Sequence, residues 1–151
     1  MASILVTLTL LFGETIASAD DYVSLRQAGL AEYEMGHYAR AEELIRKALE
    51  LAETINNEYE VALSYSALGD IQQAKRKFAD AERDYRKAIS LLSRHRESSH
   101  ALATVWRNLA AAFTAEGRYR EALTALKEAS RLAAKNKVED PCLNASTQSS
   151  F

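Results

Sequence analysis

The sequence predicts an all-α protein in which three antiparallel helix pairs stack as a solenoid. Composition is the first indication, because 151 residues contain one proline and five glycines, and these two residues are the strongest helix breakers. The second is the segment 103–129, where apolar residues follow the i, i+3, i+4, i+7 spacing on both sides of Gly117. The third is that this arrangement occurs twice more upstream. In segment 103–129 the apolar face of the first helix consists of Trp106, Leu109, Ala110 and Phe113, and that of the second consists of Ala122, Leu126 and Ala129.

Small residues recur where the two helices of each pair are expected to cross. Ala41, Ala81 and Ala122 lie 40 and 41 residues apart and define the repeat period. Each has a small partner on the preceding helix, and such residues allow two backbones to approach closely. The predicted crossing pairs are Gly29 with Ala41, Gly69 with Ala81, and Ala110 with Ala122.

This order of residues resembles the tetratricopeptide repeat, whose first helix carries Trp, Leu, Gly and Tyr and whose second carries Ala, Phe and Pro. Here Ala110 stands in place of the Gly, Leu126 in place of the Phe, and the Pro is missing. The usual period is about 34 residues, so the longer period is similar to that of kinesin light chains and implies longer helices. The resemblance implies a right-handed α-solenoid of three antiparallel helix pairs and a role in binding proteins or peptides.

Turn and capping signals set the predicted limits of the helices. Gly36 is expected to end the first helix in a left-handed conformation, and Asn57 with Glu60 predicts a capping box before the third. Arg76 falls where a glycine is expected, and a left-handed non-glycine residue costs about 1–2 kcal/mol, which favours a different turn there. The predicted helices span about 21–35, 38–54, 58–75, 78–94, 99–116 and 119–137. The corresponding repeats are about 22–55, 62–95 and 103–137 of a domain covering 20–137.

The amino-terminal segment, residues 1–19, joins an apolar run to a small-residue ending at Ala19. It resembles a secretory signal peptide and predicts cleavage after Ala19 with export to the periplasm or outside the cell. The apolar run is shorter than the roughly 20 residues that span a bilayer, so no stable membrane anchor is predicted. The alternative is a hydrophobic segment that caps the first helix pair, which would leave the protein cytoplasmic.

The carboxyl-terminal segment, residues 138–151, lacks a helical stripe and is predicted to be a flexible tail. Solenoids usually end in a polar capping helix, and the sequence shows none after the third repeat. We therefore expect Leu126, Leu132 and Ala133 to leave an apolar edge that is available for homo-oligomers or for another partner.

Motifs that carry catalysis or bind cofactors are missing from the sequence. It contains no glycine-rich phosphate loop, His-Glu-x-x-His, Cys-x-x-Cys or Gly-x-Ser-x-Gly motif. His95, Glu97 and His100 lie close together in sequence, but they fall in a linker where solvated polar residues are expected. Cys142 is the only cysteine, which excludes an internal disulfide. The sequence therefore predicts a protein that is not an enzyme and needs no cofactor or metal.

Charge is unevenly distributed along the chain. Residues 20–60 carry a net charge of −6 and residues 75–96 a net charge of +5, although the whole chain has a formal charge of −2. A basic segment can bind nucleic acid, but basic residues around a turn and on an outer helix face are ordinarily solvated. We therefore expect a protein or peptide partner and no nucleic acid.

The resemblance places the binding surface on the concave side of the solenoid, along the first helix of each repeat. Arg26 and Arg107 are expected to flank Asp70, which predicts a mixed-charge peptide with apolar groups that meet Tyr33. Asn108 resembles an asparagine with which long-period relatives hold a peptide backbone. Chaperone tails are not expected as ligands, because Leu30 and Thr104 replace the Asn and Lys of a carboxylate clamp. The predicted groove residues are Arg26, Leu30, Tyr33, Ser66, Asp70, Gln73, Arg107, Asn108, Ala111 and Thr114.

The predicted function is a scaffold that binds a partner in this groove. Two alternatives stay open: a structural protein that assembles through its last helix, and an accessory protein with an enzymatic or metal-binding role.

Overall fold

The structure is a computed structural model that describes residues 19–139. This part of the chain contains six α-helices, a short 3₁₀ turn at Arg96–Ser98, and no strand. The predicted all-α class is therefore confirmed. The helices are α1 (Ala19–Glu34), α2 (Tyr38–Thr54), α3 (Glu58–Ala74), α4 (Phe78–Leu92), α5 (Ser99–Ala115) and α6 (Tyr119–Glu139).

The helices pack as three antiparallel pairs, α1 with α2, α3 with α4, and α5 with α6. Helix α2 also packs on α3 and α4 packs on α5, which joins the pairs into an array. The first helices of successive pairs touch as well, α1 with α3 and α3 with α5. This is the predicted stacking of helix pairs, and it places α1, α3 and α5 side by side along one face.

Burial follows the repeat period read from the sequence. Ala41 and Ala81 are fully buried and Ala122 is 4% exposed. The core has two parts, one centred on α2 and α3 and the other on α4, α5 and α6. Each helix pair thus buries its apolar face both internally and against its neighbour.

The closest approaches at the helix crossings involve the residue one turn beyond the predicted partner. A Cβ atom added to Gly69 would lie 2.5 Å from Cε1 of Tyr85, and one added to Gly29 would lie 2.7 Å from Cδ1 of Ile45. Tyr85 and Ile45 are both fully buried. The small residues therefore make room for these two side chains, and Ala41 contributes at Gly29 only through its backbone oxygen, at 3.3 Å.

The turns inside the three pairs are built alike. Gly36, Arg76 and Gly117 have φ values of 80°, 59° and 76°. In each case the next residue donates its amide to a carbonyl five positions back, as Lys77 does to Gln72 at 2.8 Å. The expectation of a different turn at Arg76 was wrong, because the hydrogen bonds of the turn and the packing of the pair hold the left-handed conformation.

The carboxyl-terminal helix of the array differs in part from expectation. Leu132 is 7% exposed and lies in the core, so it does not contribute to an apolar edge, whereas Leu123 and Leu126 are 54% and 45% exposed. Helix α6 continues to Glu139, beyond the predicted limit at 137. The predicted leader up to residue 18, and the tail from residue 140 onward, lie outside the described residues.

Candidate functional site

Asp70 lies where the three first helices meet. Its Oδ1 accepts a hydrogen bond from the Tyr85 hydroxyl at 2.6 Å and another from Nδ2 of Asn108 on α5 at 2.9 Å. The Tyr85 hydroxyl also lies 3.2 Å from Oε1 of Gln73. One carboxylate on α3 is thus held by a buried tyrosine of its own pair and by the first helix of the next pair.

Asp70 is partly buried, and its described hydrogen-bond donors are neutral. Burial raises the pKa of Asp70, while the hydrogen bonds from Tyr85 and Asn108 oppose that rise. Burial also raises the pKa of Tyr33 on α1, and the negative charge of Asp70 adds to the effect. Asp70 therefore affects the ionisation of a residue on the neighbouring first helix.

The two predicted groove arginines have different environments. Nε of Arg26 lies 3.0 Å from Oε2 of Glu60, and the two side chains are 18% and 11% exposed. This ion pair ties α1 to α3, so Glu60 does not complete the predicted capping box; Asn57 still caps α3 by accepting from the amide of Glu60 at 3.2 Å. Arg107 is exposed, and its one hydrogen bond given by the described residues is a 3.4 Å contact with Thr104 Oγ1.

The other predicted groove residues vary in availability. Tyr33 is partly buried, with its ring centre 5.8 Å from that of Tyr38. Ser66 is also partly buried, whereas Thr114 is exposed and donates its hydroxyl to the carbonyl of Ala110 at 2.8 Å. The amide nitrogen of Asn108 is already engaged by Asp70.

A depression of about 450 Å³ lies beside Arg107 on the shared face of α1, α3 and α5. It is lined mostly by alanines of α5 and by Leu126 of α6. Leu126 occupies the position held by Ile45 and Tyr85 in the earlier repeats, yet it is 45% exposed. This exposure agrees with the apolar edge expected at the end of the third repeat, because no described helix packs beyond α6.

A second cavity, of about 430 Å³, lies among α4, α5 and α6. Its apolar walls come from residues that the sequence assigned to the core, including Trp106 and Phe113. The charged groups at its rim are paired, since Arg86 contacts Glu82 at 2.6 Å and Glu121 contacts Arg118. The repeat pattern does not predict this cleft, because an apolar helix face has the same residue spacing whether the neighbouring helix covers it fully or only in part.

Two further findings concern residues 19–139. This segment has no helix that combines the length and apolar character needed to cross a bilayer. It also contains no cluster of three or more His, Cys, Asp or Glu side chains placed to hold a metal ion.

An array of antiparallel helix pairs with a shared face of first helices defines the class of helical-repeat solenoids. A family model described as Tetratricopeptide repeat matches residues 20–94 and 60–135. The chain belongs to the tetratricopeptide repeat family, whose members are generally protein-interaction scaffolds.

Solved structures show the same fold. BtubC (BKLC) from P. vanneervenii superposes with a TM-score of 0.75 at 20% identity, covering 91% of this chain and 56% of BtubC. This chain therefore spans little more than half the length of that relative. The TPR domain of Arabidopsis FLU superposes with a TM-score of 0.67 at 19% identity, covering 78% of this chain and 96% of that domain. The search of curated proteins gave no match.

Proposed function

We propose that this protein is a non-enzymatic scaffold that binds a peptide segment of a partner protein along α1, α3 and α5. The observation that carries the proposal is a concave face with two opposite charges, Asp70 and Arg107, that are not paired with each other or with another charged group among the described residues. A rigid face with fixed polar groups binds an extended or helical peptide at a modest entropic cost.

Apolar contacts are available at both ends of this row of charges. Tyr33 lies on α1, and the alanines of α5 with Leu126 border the depression next to Arg107. A peptide of mixed charge with flanking apolar residues is the ligand that matches this arrangement. The charge pattern differs from the earlier expectation in one respect: Arg26 is neutralised by Glu60, so Arg107 is the cation that the groove offers.

Peptide selection with the full chain tests this proposal. Binders are selected from a phage-displayed library of random dodecapeptides, and their affinities are measured by titration calorimetry for the parent protein and for Arg107→Glu. We expect binding to weaken by about 1–3 kcal/mol, because an exposed groove cation becomes an anion. Circular dichroism checks that helicity is unchanged.

Arg120→Glu is the matched control, because Arg120 is likewise exposed but lies in the first turn of α6. It makes the same charge reversal away from the concave face and should leave affinity unchanged. Equal affinities for the parent and Arg107→Glu would move the binding surface away from the groove. The double variant Arg107→Ala with Asn108→Ala is less selective, since Asn108 also supports Asp70.

A second candidate function is self-assembly through α6, favoured by the exposure of Leu123 and Leu126. Two large apolar side chains on one exposed helix are typical of a surface that another chain covers. Light scattering across a concentration series, on the parent and on Leu123→Lys with Leu126→Lys, tests it. A parent that stays monomeric at every concentration would exclude this function.

A further inference from the structure

One carboxylate oxygen of Asp70 accepts no hydrogen bond from the described residues. Both of its described hydrogen bonds end on Oδ1. Oδ2 accepts none from the described residues, and it is not among the enclosed polar atoms that lack a partner, which are Oε1 of Gln72 and Oγ of Ser98. Oδ2 is therefore the atom of this carboxylate that a ligand can reach.

The groups that face Asp70 from each neighbouring element are neutral at physiological pH. They are Tyr33 on α1, Gln73 on α3, Tyr85 on α4 and Asn108 on α5. Arg26 on α1 is held by Glu60, and none of the hydrogen bonds or ion pairs given for the described residues joins a cation to Asp70. A partly buried carboxylate whose described hydrogen bonds come only from neutral donors is incompletely compensated.

We propose that Asp70 and Tyr33 form a subsite for a lysine or arginine side chain of the bound peptide. This inference rests on the proposed function and specifies its ligand. The ammonium or guanidinium group donates to Oδ2 of Asp70 in a charge-assisted hydrogen bond, which is shorter and stronger than a neutral one. The Tyr33 ring across the groove provides an aromatic surface for the same cation.

The subsite also gives the bound peptide a direction. Arg107 lies on α5, on the side of Asp70 away from Tyr33, and offers a cation to an acidic residue of the ligand. A peptide with a basic residue at Asp70 and an acidic residue toward α6 satisfies both charges, whereas the reversed peptide places like charges together.

A purely structural role for Asp70 makes a different prediction. In that case the carboxylate only links α3, α4 and α5 through Tyr85 and Asn108, and its charge has no bearing on ligand choice. Asp70→Asn separates the two roles, because an amide keeps the size of the side chain and an oxygen acceptor for both donors while it removes the charge.

The experiment uses the full chain and a positional-scanning library of dodecapeptides, with one position fixed as Arg, Lys, citrulline or Glu and the rest randomised. We expect the Arg and Lys pools to be retained about tenfold more strongly than the citrulline and Glu pools at the best position. Asp70→Asn should lose this preference while its melting transition stays cooperative. Asp80→Asn is the control, because Asp80 lies on α4 and pairs with Arg83 at 2.9 Å.

The outcomes distinguish the subsite from the groove itself. Pools that bind in an Arg107-dependent way with no preference for basic residues would overturn the subsite and leave the scaffold function standing. Retention of the preference in Asp70→Asn would also overturn the subsite. If no pool binds the parent protein more strongly than Arg107→Glu, both proposals fail.

Discussion

The two junctions between helix pairs are built on the same plan and filled differently. The first joins α2 to the α3–α4 pair, and the second joins α4 to the α5–α6 pair. Positions 41 residues apart correspond, so Gln72 of the first junction matches Phe113 of the second, and Asp84 matches Ala125. The same arrangement of helices thus accommodates polar side chains at the first junction and apolar side chains at the second.

Buried polar groups occupy the first junction. Gln72 is 4% exposed, and its Nε2 donates to Oε1 of Glu42 at 3.1 Å, while its Oε1 has no partner. Lys75 also contacts Glu42, at 2.7 Å. Asp84 is 5% exposed, and burial raises its pKa. The first junction therefore buries polar groups that need hydrogen bonds, and Oε1 of Gln72 is left without one.

Aromatic groups and Arg118 occupy the second junction. Arg118 contacts Glu82 at 2.6 Å, and its guanidinium lies 4.3 Å from the centre of the Phe113 ring. Trp106 and Phe113 line the cleft that stays partly open. The acid therefore recurs at both junctions, as Glu42 and Glu82, but its partner on the next pair comes from a different position. The repeat period sets the position of the acidic residue at each junction, and the neighbouring side chains determine which basic residue pairs with it.

The largest expected effect on stability comes from placing the glutamine of the first junction at the corresponding position of the second. Phe113→Gln should lower the free energy of unfolding by about 3 kcal/mol, because it removes a buried ring together with its contact to the Arg118 guanidinium and places a polar amide beside apolar side chains. Urea denaturation followed by circular dichroism measures the change. Ala111→Gln, on an exposed position of the same helix, should stay within about 0.5 kcal/mol of the parent. A loss below about 1 kcal/mol for Phe113→Gln would mean that the cleft tolerates polar groups as the first junction does.

The next effect concerns the acid clamps and depends on pH. The hydrogen bond from Lys75, with a second from Arg46, lowers the pKa of Glu42 to about 2. Because the folded value lies below the ordinary one, the stabilisation is present above pH 4.5 and is lost as the pH falls toward 2. Glu42→Gln should therefore cost about 1 kcal/mol or less at pH 7, since the pair is partly exposed, and nothing near pH 2.

Thermal unfolding of the parent and Glu42→Gln between pH 2 and pH 7 measures this convergence. Glu82→Gln is the matching variant at the second junction, where Arg118 lowers the pKa of Glu82, and it should show the same sign. A stability difference that stays constant with pH would show that Glu42 acts through packing and not through charge.

The smallest effect is expected from giving the first junction a more apolar filling. Gln72→Met removes the unsatisfied Oε1 and also the hydrogen bond from Gln72 to Glu42. Glu42 retains its hydrogen bonds from Lys75 and Arg46. These changes oppose each other, so the free energy of unfolding should change by about 0.5 kcal/mol or less. A loss above about 1.5 kcal/mol, seen by the same urea assay, would show that the Gln72–Glu42 contact is central to this junction.

Much of the fold could be predicted from the sequence because it depends on local spacing. The burial of Ala41, Ala81 and Ala122 follows from helical periodicity and the repeat interval, and the left-handed turns at Gly36 and Gly117 follow from backbone sterics. These are properties of a few neighbouring residues. They hold whatever the chain packs against.

The candidate site depended on the tertiary structure, because its properties come from residues far apart in sequence. The sequence placed Arg26, Asp70 and Asn108 on one face, but only packing paired Arg26 with Glu60 and brought Asn108 and Tyr85 to one oxygen of Asp70. The sequence placed Leu126 and Leu132 together on an apolar edge, but packing left Leu126 exposed and buried Leu132 in the core. Periodicity determines which face a residue occupies; the neighbouring helix determines whether that residue is buried, paired or free to bind.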